Sequence, residues 1–329
     1  MNPEINRRRF VSAGLALAAA PALLPLFPGA AAASPKLGPA LPRVWRLPFG
    51  DFELTIISDS EAFIDGPYPI IGANATEAEV RDLMRRNLVQ ETRYQPGFSP
   101  AILNTGKHTI LFDTGNGANG FIPRPNGGWL AGELKSAGFD PGDIDIVVLS
   151  HGHPDHVGGM MENGAPLFPK ARYVIAAAEY DYWAPEGKHS GELEKLAAVF
   201  RANAVPFAER FSFIKPGDEV APGVHALDAA GHTPGHLVFI VESGSQRMLF
   251  WNDCAHHHVA SLARPDWHCV FDIDKEQAAA TRKRIYSLAA TDRLPVFGYH
   301  MPYPSLGFVE PREGSGYRWI AHSFQLNPG

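Results

Sequence analysis

Residues 144–156 read IDIVVLSHGHPDH, an apolar run of strand length that ends in three histidines and an aspartate. The stretch from Ile144 to Leu149 is nearly continuous in aliphatic residues, the pattern of a strand buried on both faces. His151, His153, Asp155 and His156 follow at once. Gly152 and Pro154 turn the backbone, so alternate side chains can converge instead of splitting across a pleat. Imidazole nitrogen with carboxylate oxygen is the donor set that borderline-soft divalent ions prefer. Four donors so close cannot easily wrap one ion. Two adjacent ions solve the problem, with His151 and His153 on one and Asp155 and His156 on the other.

Each ion needs donors from elsewhere. GHTPGH at 231–236 offers His232, WND at 251–253 offers Asp253, and GYH at 298–300 offers His300. Every one of these lies at a strand end or in a turn, where binding groups usually sit.

Strand-like runs occupy Phe52–Ile57, Ala101–Asn104, Thr109–Phe112, Tyr173–Ala176, Leu237–Val241, Met248–Trp251 and Pro295–Gly298. Helical periodicity marks Thr76–Leu88, with Thr76 and Glu79 as a capping box, and then Trp129–Ala137, Gly191–Ala202 and Lys275–Ala290. Helices separated by pairs of strands predict an α/β fold with two sheets face to face and helices outside, a four-layer αββα sandwich. Residues 44–329 read as one domain, preceded by a Pro-rich linker at 34–43.

With 45% hydrophobic and 19% charged residues, the 329-residue chain can build a full core. A formal charge of −6 without long runs of one sign is no basic footprint, so a nucleic-acid partner is not expected. The N-terminus is a separate object. Arg7-Arg8-Arg9-Phe10 has the twin-arginine pattern, an uncharged Ala/Leu-rich stretch follows, and Ala31-Ala32-Ala33 offers a cleavage site. The expectation is a twin-arginine signal over residues 1–33, a periplasmic or secreted protein, and no stable membrane insertion after cleavage. The two cysteines, Cys254 and Cys269, could pair in an oxidising compartment or be small buried hydrophobes, and no disulfide is assigned.

The pattern His-x-His-x-Asp-His, a distant Gly-His-Thr-Pro-Gly-His, an Asp after a strand and a late His resembles the metallo-β-lactamase-fold hydrolases. GDFELTIISD, LNTGKHTILFDTG and PSLGFVEPREGSGYRW are most similar to the branch of methyl parathion hydrolase and the quorum-quenching lactonases. The resemblance implies one ion on His151, His153 and His232, a second on Asp155, His156 and His300, and Asp253 bridging both. The ions would be zinc by default, with manganese, cobalt or iron as alternatives. Asp155 and Asp253 would be the catalytic carboxylates, and Asp155 would orient the nucleophile and pass its proton to the leaving group. Asp253 goes to the metals and its neighbour Cys254 to packing, because successive strand residues point oppositely.

The implied reaction is hydrolysis of a small, neutral, apolar lactone, ester or organophosphate triester. N-acyl homoserine lactone hydrolysis with only incidental phosphotriester cleavage is the narrower alternative. A di-iron redox protein uses the same ligand set, but the sequence shows no room for its flavin domain. The relatives imply a homodimer.

Asp113, in LFDTG, reads either as a carboxylate that fixes a ligand imidazole or as a turn residue. Phe98, Phe121, Trp183 and Phe271 are pocket candidates from their placement in or near loops, and each also fits ordinary packing. Of His256-His257-His258, one is expected to point into the pocket, since consecutive residues cannot all face one ion. His236 reads as structural, and Arg282-Lys283-Arg284 as a solvated helix face.

Overall fold

The apolar runs become two seven-stranded sheets. The first takes its strands in the order Val44–Phe49, Phe52–Ile57, Ala101–Asn104, Thr109–Phe112, Ile146–Val148, Arg172–Ala176, Phe211–Ile214. Its opening strands pair antiparallel, and from Thr109–Phe112 onward the pairing is parallel. The second runs Glu219–Ala221, Val224–Asp228, Leu237–Ser243, Gln246–Phe250, Val296–Phe297, Leu306–Pro311, Tyr317–Ala321. It is antiparallel except between Gln246–Phe250 and Val296–Phe297. The computed structural model describes Lys36, residues 41–312 and residues 316–323. The expected signal peptide and most of the expected linker lie outside these residues.

Period-2 alternation decides which side chains fill which layer. Leu54, Ile56, Leu103, Phe112 and Val148 of the first sheet meet Phe239, Val241, Phe250 and Phe297 of the second in a shared core. The opposite face of the first sheet, with Ile102, Leu111 and Val147, packs against Leu130 and Leu134 of helix Leu130–Ser136 and Ala197 and Phe200 of helix Gly191–Ala204. Val238, Ile240 and Leu249 on the outer face of the second sheet pack against Ile285, Tyr286 and Ala289 of helix Lys275–Thr291. Four layers result: helix, sheet, sheet, helix. Among the described residues no helix is long and apolar enough to cross a membrane.

Parallel pairing aligns the C-terminal ends of Thr109–Phe112 and Ile146–Val148 in one sheet, and those of Gln246–Phe250 and Val296–Phe297 in the other. Asp113, the 151–156 loop, Asp253 and His300 follow these four ends. The expected capping box is formed: the Thr76 side chain accepts from Glu79 N, and Glu79 Oε2 accepts from Thr76 N. Ile144 and Leu149 flank the shorter strand Ile146–Val148 and are fully buried beside it.

Candidate metal centre

The loop after Ile146–Val148 becomes a one-turn helix, Pro154–Val157, with Pro154 at its first position, where a missing N–H costs nothing. That turn carries Asp155 and His156 away from His151 and His153. His232 enters from the loop between Val224–Asp228 and Leu237–Ser243. His151 Nε2, His153 Nδ1 and His232 Nε2 converge, at 3.0 Å between the first two, 3.2 Å from His151 to His232 and 2.9 Å from His153 to His232. Opposite them, Asp155 Oδ2 is 3.2 Å from His156 Nε2 and 3.5 Å from His300 Nε2. Asp253 touches both groups: Oδ2 lies 3.2 Å from His232 Nε2 and 3.0 Å from His300 Nε2, and Oδ1 lies 3.2 Å from His156 Nε2. All seven side chains are buried.

The protonation pattern tells what this cluster is for. His156 Nδ1 lies 2.8 Å from Asp113 Oδ2, His232 Nδ1 2.9 Å from Asp272 Oδ1, and His300 Nδ1 2.7 Å from the Gly97 carbonyl. With Nδ1 held by an oxygen in each case, the Nε2 of the same ring, when neutral, is a bare lone pair aimed into the cluster, the form in which it could bind a cation. Three such nitrogens face one another or carboxylates. Among the described residues, buried His156 Nε2 and Asp253 Oδ1 make no hydrogen bond, although they lie 3.2 Å apart. Bare acceptors collected without donors are costly unless a cation lies among them. The nitrogen spacing also suits one tetrahedral ion, for which Zn–N of ~2.0–2.1 Å implies N···N of ~3.3 Å. The donors fit two cations, one beside each group, with Asp253 between.

Residues 95–292 match the metallo-β-lactamase superfamily. The chain belongs to this superfamily. An N-acyl homoserine lactonase of Bacillus cereus is 28% identical over 167 residues, covering 51% of this chain and 60% of that protein. One from Bacillus sp is 34% identical over 110 residues, 33% of this chain and 38% of its own length. The matches thus span roughly four- to six-tenths of these relatives. Among solved structures, AidC, a dizinc quorum-quenching lactonase in complex with a product, aligns with TM-score 0.79 and 27% identity, over 85% of this chain and 98% of that one. The hydrolase AbOPH aligns with TM-score 0.80 and 25% identity, over 87% and 99%.

Around the superfamily's donor cluster, burial and charge oppose each other. Burial pushes the His151 and His153 imidazoles well below their ordinary range. Burial acts the same way on His156, but the carboxylates of Asp253, Asp155 and Asp113 outweigh it and the net direction is upward. Asp253 is penalised by burial, yet His300, His156 and His151 hold its carboxyl well below the usual range.

The support for these donors was only partly visible in sequence. Asp113 takes the first of its two readings: it accepts from Ser150 N and Ser150 Oγ, both at 2.8 Å, as well as from His156. It sits at φ 57°, a left-handed conformation that Asp tolerates better than most residues. His236 is buried, with Nδ1 donating to the Ala229 carbonyl at 3.1 Å and Nε2 accepting from Asp253 N at 3.4 Å.

Three supporting groups had no motif. Asp272 bonds His232 and accepts from buried Arg282 Nη1 at 2.8 Å, which corrects the reading of Arg282-Lys283-Arg284 as a solvated face. Lys283 and Arg284 are exposed, whereas Arg282 turns inward and also donates to the Pro265 and Trp267 carbonyls. Glu179 is fully buried and accepts from Gly152 N at 2.9 Å and Gly235 N at 2.8 Å, so one carboxylate clasps both histidine loops. A Cβ on Gly152 would lie 2.3 Å from Trp183 Cδ1, and one on Gly235 would lie 2.4 Å from Glu179 N. Only glycine lets helix Ala177–Trp183 approach so closely.

A cavity of about 210 Å³ opens over the cluster, with Ile64, Phe98, Phe121, Ile122 and Phe271 on its walls and His153, Asp155, Asp253 and His300 at its floor. Phe98 packs edge-on to His300 at 5.1 Å, and Phe121 meets Phe271 at 5.5 Å. His256 also lines it and stacks on His300 at 5.4 Å. Trp183 does not line it. Its ring is fully buried beneath His153, 5.5 Å away, with Nε1 donating to Glu179, so it packs the floor from behind. Asp253 and Cys254 do diverge, but the cause is a 3-10 turn at Asn252–Cys254 rather than strand alternation. Cys254 joins the core beneath helix Lys275–Thr291, and both cysteines are free and buried.

Proposed function

We propose that this chain hydrolyses lactones and neutral esters at a centre of two divalent ions, zinc on the chemistry of the donors. The observation that carries the reading is the pair of donor groups joined through Asp253 at the floor of an apolar cavity. His151, His153 and His232 would hold one ion, Asp155, His156 and His300 the other, and Asp253 both. When bound, the ions supply a water of lowered pKa as nucleophile and Lewis acidity toward the oxygen of the bond under attack.

The chain's residues do the rest. Asp155 faces the cavity and borders the second donor group, so its carboxylate can orient the attacking water and carry its proton to the leaving oxygen. Ile64, Phe98, Phe121, Ile122 and Phe271 exclude bulk water and favour an uncharged substrate. Lactone rings are favoured by the relatives, several of which are named N-acyl homoserine lactonases. Neutral phosphotriesters meet the same requirements and are the second proposed substrate class.

The test is a substrate panel on metal-replete protein, with N-hexanoyl homoserine lactone beside an aryl phosphotriester and elemental analysis of the same sample. Hydrolysis of the lactone with two metals per chain is expected. Two bound metals with no hydrolysis of either would sink the reading. Iron with strong visible absorption would point to redox chemistry instead. We further propose export through a twin-arginine signal, on Arg7-Arg8-Arg9-Phe10 and Ala31-Ala32-Ala33, and a homodimer in solution. Cell fractionation with N-terminal sequencing checks the first, and light scattering the second.

A further inference from the structure

Beside the cavity over the metal donors lies a second chamber of about 350 Å³, and Tyr94, His256 and His300 line both. Its lining differs in chemistry. Gln90, Arg93, Gln95, His257 and His258 contribute to it beside the apolar Phe63, Leu88, Val89 and Pro302, and among the described residues no carboxylate lines it. His257 Nδ1 accepts from the backbone amides of Val259 at 3.0 Å and Ala260 at 3.1 Å. The ring proton therefore sits on Nε2, and no described residue accepts from that nitrogen. Burial pushes this imidazole down to about 3, so it remains a neutral donor. His258 stacks on it at 4.8 Å and 13°, which fixes the plane of both rings. Arg93 is exposed beside Phe63, and its cross-strand neighbour Asp65 forms no ion pair with it.

We propose that this chamber is a second substrate subsite, which takes the oxygen-rich end of a substrate, a carboxylate best of all, while its lactone or ester lies over the metal donors. The proposal rests on the hydrolytic reading above and adds a substrate class to it: molecules with an apolar middle and an anionic far end. A chamber whose polar lining holds a guanidinium without an ion pair among the described residues and a neutral imidazole N–H is complemented by a carboxylate, since guanidinium and carboxylate match in charge and in fork geometry. The chamber's size lies in the range of small-molecule sites.

The experiment compares N-hexanoyl homoserine lactone with its analogue whose acyl chain ends in a carboxylate, on zinc-loaded wild type and Arg93→Ala. Arg93 touches none of the metal donors, so hydrolysis of the hexanoyl compound should be unchanged in the variant. The ratio of kcat/KM for the carboxylate-ended over the hexanoyl lactone should fall about fivefold in Arg93→Ala, and should shrink with salt in wild type. An unchanged ratio overturns the subsite. Failure of zinc-loaded wild type to hydrolyse both the hexanoyl lactone and the aryl phosphotriester overturns the hydrolytic reading itself, and is a separate result.

Discussion

The two sheets furnish the site in opposite styles. The first sheet gives four donors from one six-residue loop, His151 to His156, held from below by buried carboxylates that accept backbone N–H groups. The second sheet gives three donors from three separate places, His232, Asp253 and His300, each needing its own support. His232 leans on Asp272, which in turn is held by Arg282 from helix Lys275–Thr291. His300 leans on the Gly97 carbonyl, and the Asp253 amide leans on His236. A contiguous loop is placed by local turns, whereas dispersed donors are placed by the register of a whole sheet. The first arrangement should therefore fail together and the second piece by piece.

The largest effect belongs to the residue that joins the two halves. Asp253→Ala should remove both metals and lower turnover by at least about a thousandfold, because one carboxylate borders both donor groups. Metal analysis and kinetics on the same sample check this, and full activity with two metals retained would contradict it.

The supporting carboxylates sharpen the contrast. Asp113→Ala frees the His156 ring, and Asp272→Ala frees the His232 ring. Each should weaken metal affinity by about 10–100-fold, at a different ion. Competitive chelator titration should show one site weakened in each variant, and equal loss at both sites would erase the distinction. Asp272→Ala also strands the Arg282 guanidinium in the core, so its stability loss should be the greater of the two.

Glu179 tests whether the two histidine loops are mechanically joined. Glu179→Gln keeps the shape but replaces one acceptor with an NH₂ that faces a backbone N–H. A loss of about 1–3 kcal/mol in urea unfolding is expected, together with slower turnover. Unfolding unchanged from wild type would show that the clasp on Gly152 and Gly235 is dispensable.

Much of this was legible in sequence where the pattern is local. Thr109–Phe112 and Ala101–Asn104 match their apolar runs, and the 151–156 loop announces itself because its donors are adjacent. Asp253 and His300 could be found because a strand pattern precedes each. Glu179, Asp272 and Arg282 could not, because what gives each its role is a partner distant in sequence or a burial that its charge argues against. Arg282 stands in a basic run whose neighbours are exposed, so charge patterning averages over the one member that turns inward. Trp183 carries two readings in sequence, pocket wall or packing, and the structure shows the second. Aromatic residues near a site can face the cavity or support its floor, and only packing against Gly152 decides. The last two strands, Leu306–Pro311 and Tyr317–Ala321, alternate weakly, and the first carries Gly307 and Pro311, which blurs the period.

The smallest expected effect separates the two halves by pH. Asp59, at the end of strand Phe52–Ile57, accepts from Asn116 N, Asn116 Nδ2 and Leu130 N, and so anchors the loop that carries Phe121 and Ile122. Burial pushes its carboxyl up to about 6, against those donors. Asp272 goes the other way: burial opposes its charge, but His232 and Arg282 hold it well below the usual range. A carboxyl raised on folding binds more protons in the folded chain between its two pKa values, so its contribution to stability falls as pH rises from ~4 to ~6. A depressed carboxyl contributes stability above ~4 that is lost as pH drops further. The unfolding free energy of wild type minus that of Asp59→Asn should therefore decline between pH 4 and 6, by about 1–3 kcal/mol, and level off above. Taking the difference removes the titration of the histidine cluster, which both proteins share. The corresponding difference for Asp272→Asn should instead rise with pH from acid values and then level. If the Asp59 difference rises as well, the amide donors outweigh burial, and the two halves of the site respond to protons alike.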